Sequence, residues 1–212
     1  LGMLYNSGDQ IDHDYQTNID RIMFVSGVKS IDLYAGGSWD FISTGATNAS
    51  PYDVYGGQPY NTANLSNVNQ WSAFVAKRMN PDLQRLSLAR GDLVLNGGVY
   101  ASYRSQLIDV SQTVGNNPSS ASAANPNNSF ERRGMWQITP NAWVQLLWKK
   151  LRVEAEFAMN YGSIENSPAS SDVTKPLGIQ QFGLATQTEF KAIEDKLRIA
   201  SGSGWACGDP GQ

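Results

Sequence analysis

Residues 135–161 read MWQITPNAWVQLLWKKLRVEAEFAMNY, and their apolar side chains fall on every second position in two runs separated only by Lys149 and Lys150. One face of the first run carries Trp136, Ile138, Pro140, Ala142, Val144, Leu146 and Trp148. One face of the second carries Leu151, Val153, Ala155, Phe157, Met159 and Tyr161. The opposite faces hold Gln137, Thr139, Asn141 and Gln145, then Arg152, Glu154, Glu156 and Asn160. A period of two belongs to a strand and not to a helix. Trp136 and Trp148 stand twelve residues apart on one face. At about 3.3 Å per residue and a tilt of roughly 45° they are about 28 Å apart along a barrel normal. That is close to the roughly 25 Å apolar band, edged by aromatic girdles, of a transmembrane β-barrel.

Composition conceals this pattern. The chain has 212 residues, 41% of them hydrophobic, and a mean hydropathy of −0.37. A strand that alternates lipid-facing and lumen-facing residues averages to the hydropathy of a soluble protein, so no long apolar run is expected. Twenty glycines, nine tyrosines and six tryptophans beside one histidine and one cysteine suit a sheet-rich protein better than metal or thiol chemistry. A net charge of −3 argues for no nucleic-acid partner. Cys207 excludes an intramolecular disulfide, and Trp205 beside it favours packing over reactivity.

The same alternation recurs at 31–43, 91–104, 181–192 and 197–205, while 19–28 and 70–78 are apolar on both faces and take their phase from their neighbours. Two-residue turns fix hairpin register. A turn at Lys29 and Ser30 would pair Val28 with Ile31, placing Ile22, Phe24 and Ser26 on the lipid face and Arg21, Met23 and Val25 inward. Lys149 and Lys150 pair Trp148 with Leu151, and Glu194 and Asp195 pair Ala192 with Leu197. Long connections at 6–18, 44–69, 107–133 and 165–178 alternate with the short ones, as external loops alternate with periplasmic turns. Among the short ones, 80–90 is irregular: Asn80 can cap and Pro81 open a helix that brings Leu83 and Leu86 to one side. The 107–133 loop, with almost nothing to bury, is expected to be mobile. Pro140 lacks a ladder N–H and predicts a bulge or a local edge.

The expected fold is all-β: an antiparallel up-and-down transmembrane barrel with eight strands visible, and a ninth ending at 1–5. No basic and apolar leader opens the chain, and CGDPGQ closes it as a loop sequence. Residues 1–212 are therefore expected to be part of a single barrel domain with both ends truncated. Several words resemble a family of large, functionally uncharacterised, porin-like outer-membrane proteins from myxobacteria and related deltaproteobacteria. They are GMLYNSGDQIDHDYQTNIDRIMFVS, VNQWSAFVAKR, GDLVLNGGVYASYRSQ, KLRVEAEFAMNYGSIEN and DKLRIASGSGWACGDP. The resemblance covers nearly the whole chain and implies a bacterial outer-membrane barrel, but no activity.

The inward faces collect Arg104, Arg152, Glu154, Glu156, Glu189, Lys191 and Arg198 near the middle and inner end of the strands. An outward Lys or Arg at the bilayer midplane would cost about 2–4 kcal/mol, which favours the inward assignment. These residues read as a pore lining that tunes passage of small solutes, or as a solvated network that stiffens the wall or holds a plug. Glu154 and Glu156 have a spacing found in glycosidase pairs, yet neighbouring carboxylates are ordinary in a barrel lumen, and no enzyme is expected. Trp39, Tyr103, Trp136, Trp148, Tyr161 and Trp205 fall near strand ends on the outward face and read as interfacial anchors against outer-membrane lipid. Asp9, Asp12 and Asp14 form a weak candidate for Ca²⁺ without the full loop signature; no metal and no cofactor is expected. A homo-oligomer is expected only by analogy with porins. The functional expectation is passive diffusion of small solutes. The alternatives are a barrel-anchored adhesive or structural protein binding partners through its loops, and a soluble β-sandwich that binds carbohydrate.

Overall fold

The computed structural model describes residues 20–43, 65–110, 130–165, 176–193 and 196–208. They form one antiparallel eight-stranded sheet in strict chain order: β1 (Asp20–Val28), β2 (Leu33–Ser43), β3 (Val68–Lys77), β4 (Leu93–Val110), β5 (Phe130–Trp148), β6 (Leu151–Ile164), β7 (Leu177–Ala192) and β8 (Leu197–Ala206). The sheet is open, with β1 and β8 as its edges. No second sheet packs on either face among the described residues.

The alternation read at 135–161 is realised as a hairpin in the expected register, with Trp148 opposite Leu151 and Gln145 opposite Glu154. Lys149 takes a positive φ of 48° in the turn. Ala192 opposite Leu197 also matches. The β1–β2 connection does not. It takes four residues: Lys29–Ile31 form a 3-10 turn and Asp32 adopts a left-handed conformation at φ 54°, which Asp tolerates better than most residues. Val28 therefore pairs with Leu33, not Ile31. The shift is by two residues, so the face assignments survive, as a period-two structure requires.

One further expectation needs correction, and the one at Pro140 is met by its second alternative, a local edge. Strands β4 and β5 run past the expected ends: Ile108 pairs with Arg132, Asp109 with Glu131 and Val110 with Phe130, after an irregularity between Gln106 and Ile108. Residues 107–110 and 130–133 are thus strand, and only 111–129 of the anticipated loop lie outside the described residues. At Pro140 there is no bulge. The register between β5 and β6 is the same on both sides, but the pairing is interrupted between Ile138↔Tyr161 and Asn141↔Ala158. Side chains bridge this gap: Thr139 Oγ1 and Gln137 Nε2 donate to Asn160 Oδ1 at 2.7 and 3.0 Å.

The one α-helix among the described residues, α1 (Pro81–Arg90), joins β3 to β4. Asn80 Oδ1 accepts from the Asp82 N–H at 2.9 Å, Pro81 opens the first turn, and Gly91 closes the helix at φ 88°, a conformation glycine adopts without steric cost. Leu83 and Leu86 are exposed. No described helix is long and apolar enough to cross a membrane, which has no bearing on crossing by strands.

The two faces of the sheet are inverted relative to a water-soluble domain. On β4, Leu95 is 55% exposed while its neighbour Asn96 is 1% exposed. Across the sheet the apolar face carries exposed Trp39, Trp71, Val99, Val144, Phe157 and Leu184, and the polar face carries buried Asp40, Gln70, Ser102, Asn141, Glu156 and Glu189. In a single layer, a face becomes buried where its side chains crowd together or where another segment lies over it, as α1 does near Asn96. Glycines on the polar face mark the close approach. A methyl group at Gly36 would lie 2.6 Å from the Phe24 carbonyl oxygen, and one at Gly98 would lie 2.9 Å from Ala76 Cβ.

Strand ends step along the sheet. The row of paired residues that begins at Leu33 of β2 passes through Lys77, Gly97, Val144, Ala155 and Thr186 to Ser203 of β8. Ser203 stands six residues from the start of its strand at Leu197.

Candidate functional site on the polar face

The polar face is a chain of side-chain hydrogen bonds organised around four buried carboxylates. At the β1–β4 side, Asp40 accepts a fork from Arg21, Nε to Oδ1 at 2.6 Å and Nη2 to Oδ2 at 2.9 Å. Gln70 Nε2 and Ser72 Oγ donate to the same carboxylate at 2.7 and 3.1 Å. Tyr100 donates to Ser72 at 2.8 Å, and Arg104 donates twice to Gln70 Oε1, at 3.1 and 2.9 Å. A bidentate pair of this kind fixes geometry as well as charge. It also ties the edge strand β1 to its neighbours through side chains.

At the β4–β8 side a second chain begins at the helix. Asn96 Oδ1 accepts from the Met79 N–H at 2.8 Å, and Asn96 Nδ2 donates to Gln84 Oε1 of α1 and to Gln145 Oε1, at 3.2 and 2.9 Å. Gln145 donates to Glu154, which also accepts from Arg152 Nη2 at 2.8 Å. Glu189 then takes Arg152 at 3.8 Å and Arg198 at 2.7 Å. Between the two chains, Asn141 donates to Glu156, and Asn160 reaches Gln181 at 3.4 Å.

Of the residues that alternation marks as lining, Arg152, Glu154, Glu189, Lys191 and Arg198 therefore come together. Lys191 lies directly opposite Arg198. Glu156 sits beside them, buried and bonded to Asn141. Arg104 does not join them. It belongs to the Asp40 group, eleven residues along β4 from the strand's start at Leu93. Sequence reading missed the Arg21–Asp40 pair as a site. It also missed Trp143 and Leu147, two apolar residues on the polar face that are buried. Leu147 pairs with Val94, also fully buried. Gln84 of α1 bonds to Asn96 two residues away, so the helix lies over this end of the polar face. The capping signal at Asn80 and Pro81 predicts the helix but not where it docks.

On the apolar face, Trp39 stacks on Trp71 with centroids 5.0 Å apart and planes 5° apart. Trp71 pairs with Tyr103, Tyr103 with Ile138, and Ile138 with Tyr161. Trp136 meets Tyr161 edge-on at 5.7 Å, and Trp205 meets Phe182 at 5.1 Å. At the opposite end Lys149 Nζ lies 4.9 Å above the Trp148 ring. These are the anticipated aromatics, with Trp71 added by its register. Tyr103 and Trp136 lie inside long strands rather than at their ends, since β4 and β5 continue past the aromatic row. Below that row, Gly37, Ala73 and Ala101 floor an open groove of about 530 Å³ walled by Trp39, Trp71 and Tyr103.

Asp9, Asp12 and Asp14, with the Ca²⁺ site considered there, lie outside the described residues. Among the described residues no cluster of three or more His, Cys, Asp or Glu is placed to hold a metal. Comparison with protein-family models, with curated proteins and with solved structures finds no match.

Proposed function

We propose that β1–β8 form the wall, or part of the wall, of a closed barrel in a bacterial outer membrane, and that small solutes diffuse passively through its polar interior. The observation that carries this reading is the inversion of the two faces. Exposed apolar area on this scale is unfavourable in water, whereas in a bilayer it meets lipid and the buried polar face meets a hydrated lumen.

The stagger supports it. Six residues at about 3.3 Å against six strand spacings of about 4.8 Å correspond to a strand tilt of about 35°, at the edge of the range for outer-membrane barrels. At that tilt Leu93 to Tyr103 of β4, about 33 Å along the strand, rises about 27 Å along the normal, near the thickness of the apolar band. Among the described residues the outer edges of β1 and β8 have no partner strand, which supports closure as well, by pairing with each other or with further strands, because lipid cannot satisfy their backbone groups. The porin-like resemblance is compatible with this reading but does not carry it.

Reconstitution of the full-length protein into planar bilayers tests the channel. Discrete conductance steps are expected, together with a need for detergent to extract the protein from membranes. One observation favours a second reading, a barrel that serves as an anchor. The β4–β5 pairing continues seven residues past Tyr103 to Val110, so these two strands run on beyond the aromatic row. A detergent-dependent protein without conductance is the result that reading predicts.

A further inference from the structure

The carboxylates and cations of the polar face differ in how far they reach. The side chains of Asp40 and Glu156 are fully buried, and those of Glu154 and Glu189 are 5% and 10% exposed. Their cationic partners are open: Arg21 at 28%, Arg152 at 38% and Arg198 at 60%, with Lys191 exposed as well. Each acid is more buried than the neighbour that donates to it, and Arg21, Arg152 and Arg198 pair with Asp40, Glu154 and Glu189 while staying more open to solvent than the acids they bind. Counting charges along the wall gives near balance, but balance is not what a passing ion meets. The buried carboxylates are covered by the groups bonded to them, so the charged groups at the surface of the wall are the cations.

The positive layer is densest at the short-turn end. Lys191 stands opposite Arg198, and Arg152 is opposite Glu189 one pair further in. The Lys191 N–H also bonds to the Lys150 carbonyl, so the end of β7 is held against the Lys149–Lys150 turn. Asp92 lies beyond the end of β4, and Glu194 and Asp195 fall between β7 and β8 in sequence. Asp92 is therefore outside the paired wall, and Glu194 and Asp195 lie outside the described residues.

We propose that this stretch of wall selects small anions, with Arg152, Lys191 and Arg198 as the residues that set the preference. The inference rests on the channel reading above. Rings or patches of Arg and Lys in a pore favour anions because they raise the local anion concentration, and low-dielectric walls focus that field. Glu189 acts as a positioning residue here: by holding Arg152 and Arg198 from below it fixes two guanidinium groups at the wall surface.

The test is the reversal potential of the full-length protein in planar bilayers under a KCl gradient. The wild type is expected to pass chloride in preference to potassium. The Arg152→Gln, Lys191→Gln, Arg198→Gln triple variant is expected to lower the chloride-to-potassium permeability ratio by about threefold, the change for a shift of about half a kT in local potential, because anion and cation concentrations move in opposite directions. Lys191→Gln alone, which disturbs none of the ion pairs described, should move the ratio in the same direction by less. A conducting wild type that prefers potassium overturns the inference and leaves the channel standing. So does a conducting triple or single variant with an unchanged ratio. A wild type with no conductance overturns the channel reading, and the inference with it.

Discussion

Arginine at Val99 is expected to destabilise the protein in a bilayer by about 2–4 kcal/mol, whereas Arg at a polar-face position of similar depth should change stability by less than about 0.5 kcal/mol. Val99 is exposed, on β4, four residues from Tyr103 and six from the strand's start at Leu93. In water such a position tolerates Arg, because the new charge keeps its hydration. In hydrocarbon it does not, and the cost is largest near the midplane, where Val99 would lie. Gln187→Arg is the control. Gln187 lies opposite Glu154 on the polar face and is half-buried, so a new guanidinium there meets carboxylates and lumen water. Denaturant unfolding of the full-length protein in phosphatidylcholine vesicles reads both. A small effect at both positions would mean that Val99 faces water.

Removing Asp40 is expected to cost about 3 kcal/mol, at the low end of the range for breaking a buried ion pair by deleting one partner. Asp40 is fully buried and accepts from Arg21, Gln70 and Ser72. Asp40→Ala leaves three donors without their acceptor and one guanidinium without its counter-charge. Arg21 keeps some access to solvent, which moderates the loss. Asp40→Asn retains an acceptor for part of the network, so its cost should be smaller, and the order Ala worse than Asn is part of the expectation. Since Arg21 lies on the edge strand, the Ala variant should also loosen β1 selectively, read as faster amide exchange across Arg21–Val25 than across β4. Equal exchange in both strands, with a stability change under about 0.5 kcal/mol, would show that the pair contributes no more than an exposed one.

The faces of this sheet were legible from the sequence because a period of two survives errors that are themselves even. The β1–β2 turn illustrates both sides of that. A two-residue turn at Lys29 and Ser30 puts every side chain of β1 on its correct face, yet sets Arg21 opposite Ser38. The observed four-residue connection sets it opposite Asp40. The ion pair was hidden by a local choice, a left-handed Asp32 and a 3-10 turn, that alternation cannot encode. Trp71 was obscure for a related reason: β3 is apolar on both faces, and only its pairing with Trp39 and Tyr103 gives it a direction. Trp143 and Leu147 break the alternation outright. Leu147 and its partner Val94 are buried on the polar face at the end that α1 covers, a tertiary arrangement that short-range patterning does not contain. The gap at Pro140 was foreseeable as a loss of pairing. Its repair through Asn160 was not, because that depends on which side chains the register brings across.

The most direct test of the account is to ask what each face touches. Ala73, Ala101, Ala142 and Ala155 lie on the apolar face, and Ala158, Ala185 and Ala200 on the polar one. Each can be replaced by Cys in a Cys207→Ser background, spin-labelled, and studied in vesicles for collision with dissolved oxygen, which concentrates in lipid, and with a water-soluble nickel chelate. Labels on the first four are expected to meet oxygen and not nickel, and labels on the last three to meet nickel and not oxygen. Nickel access at all seven positions would contradict the account, because it would place the apolar face in water.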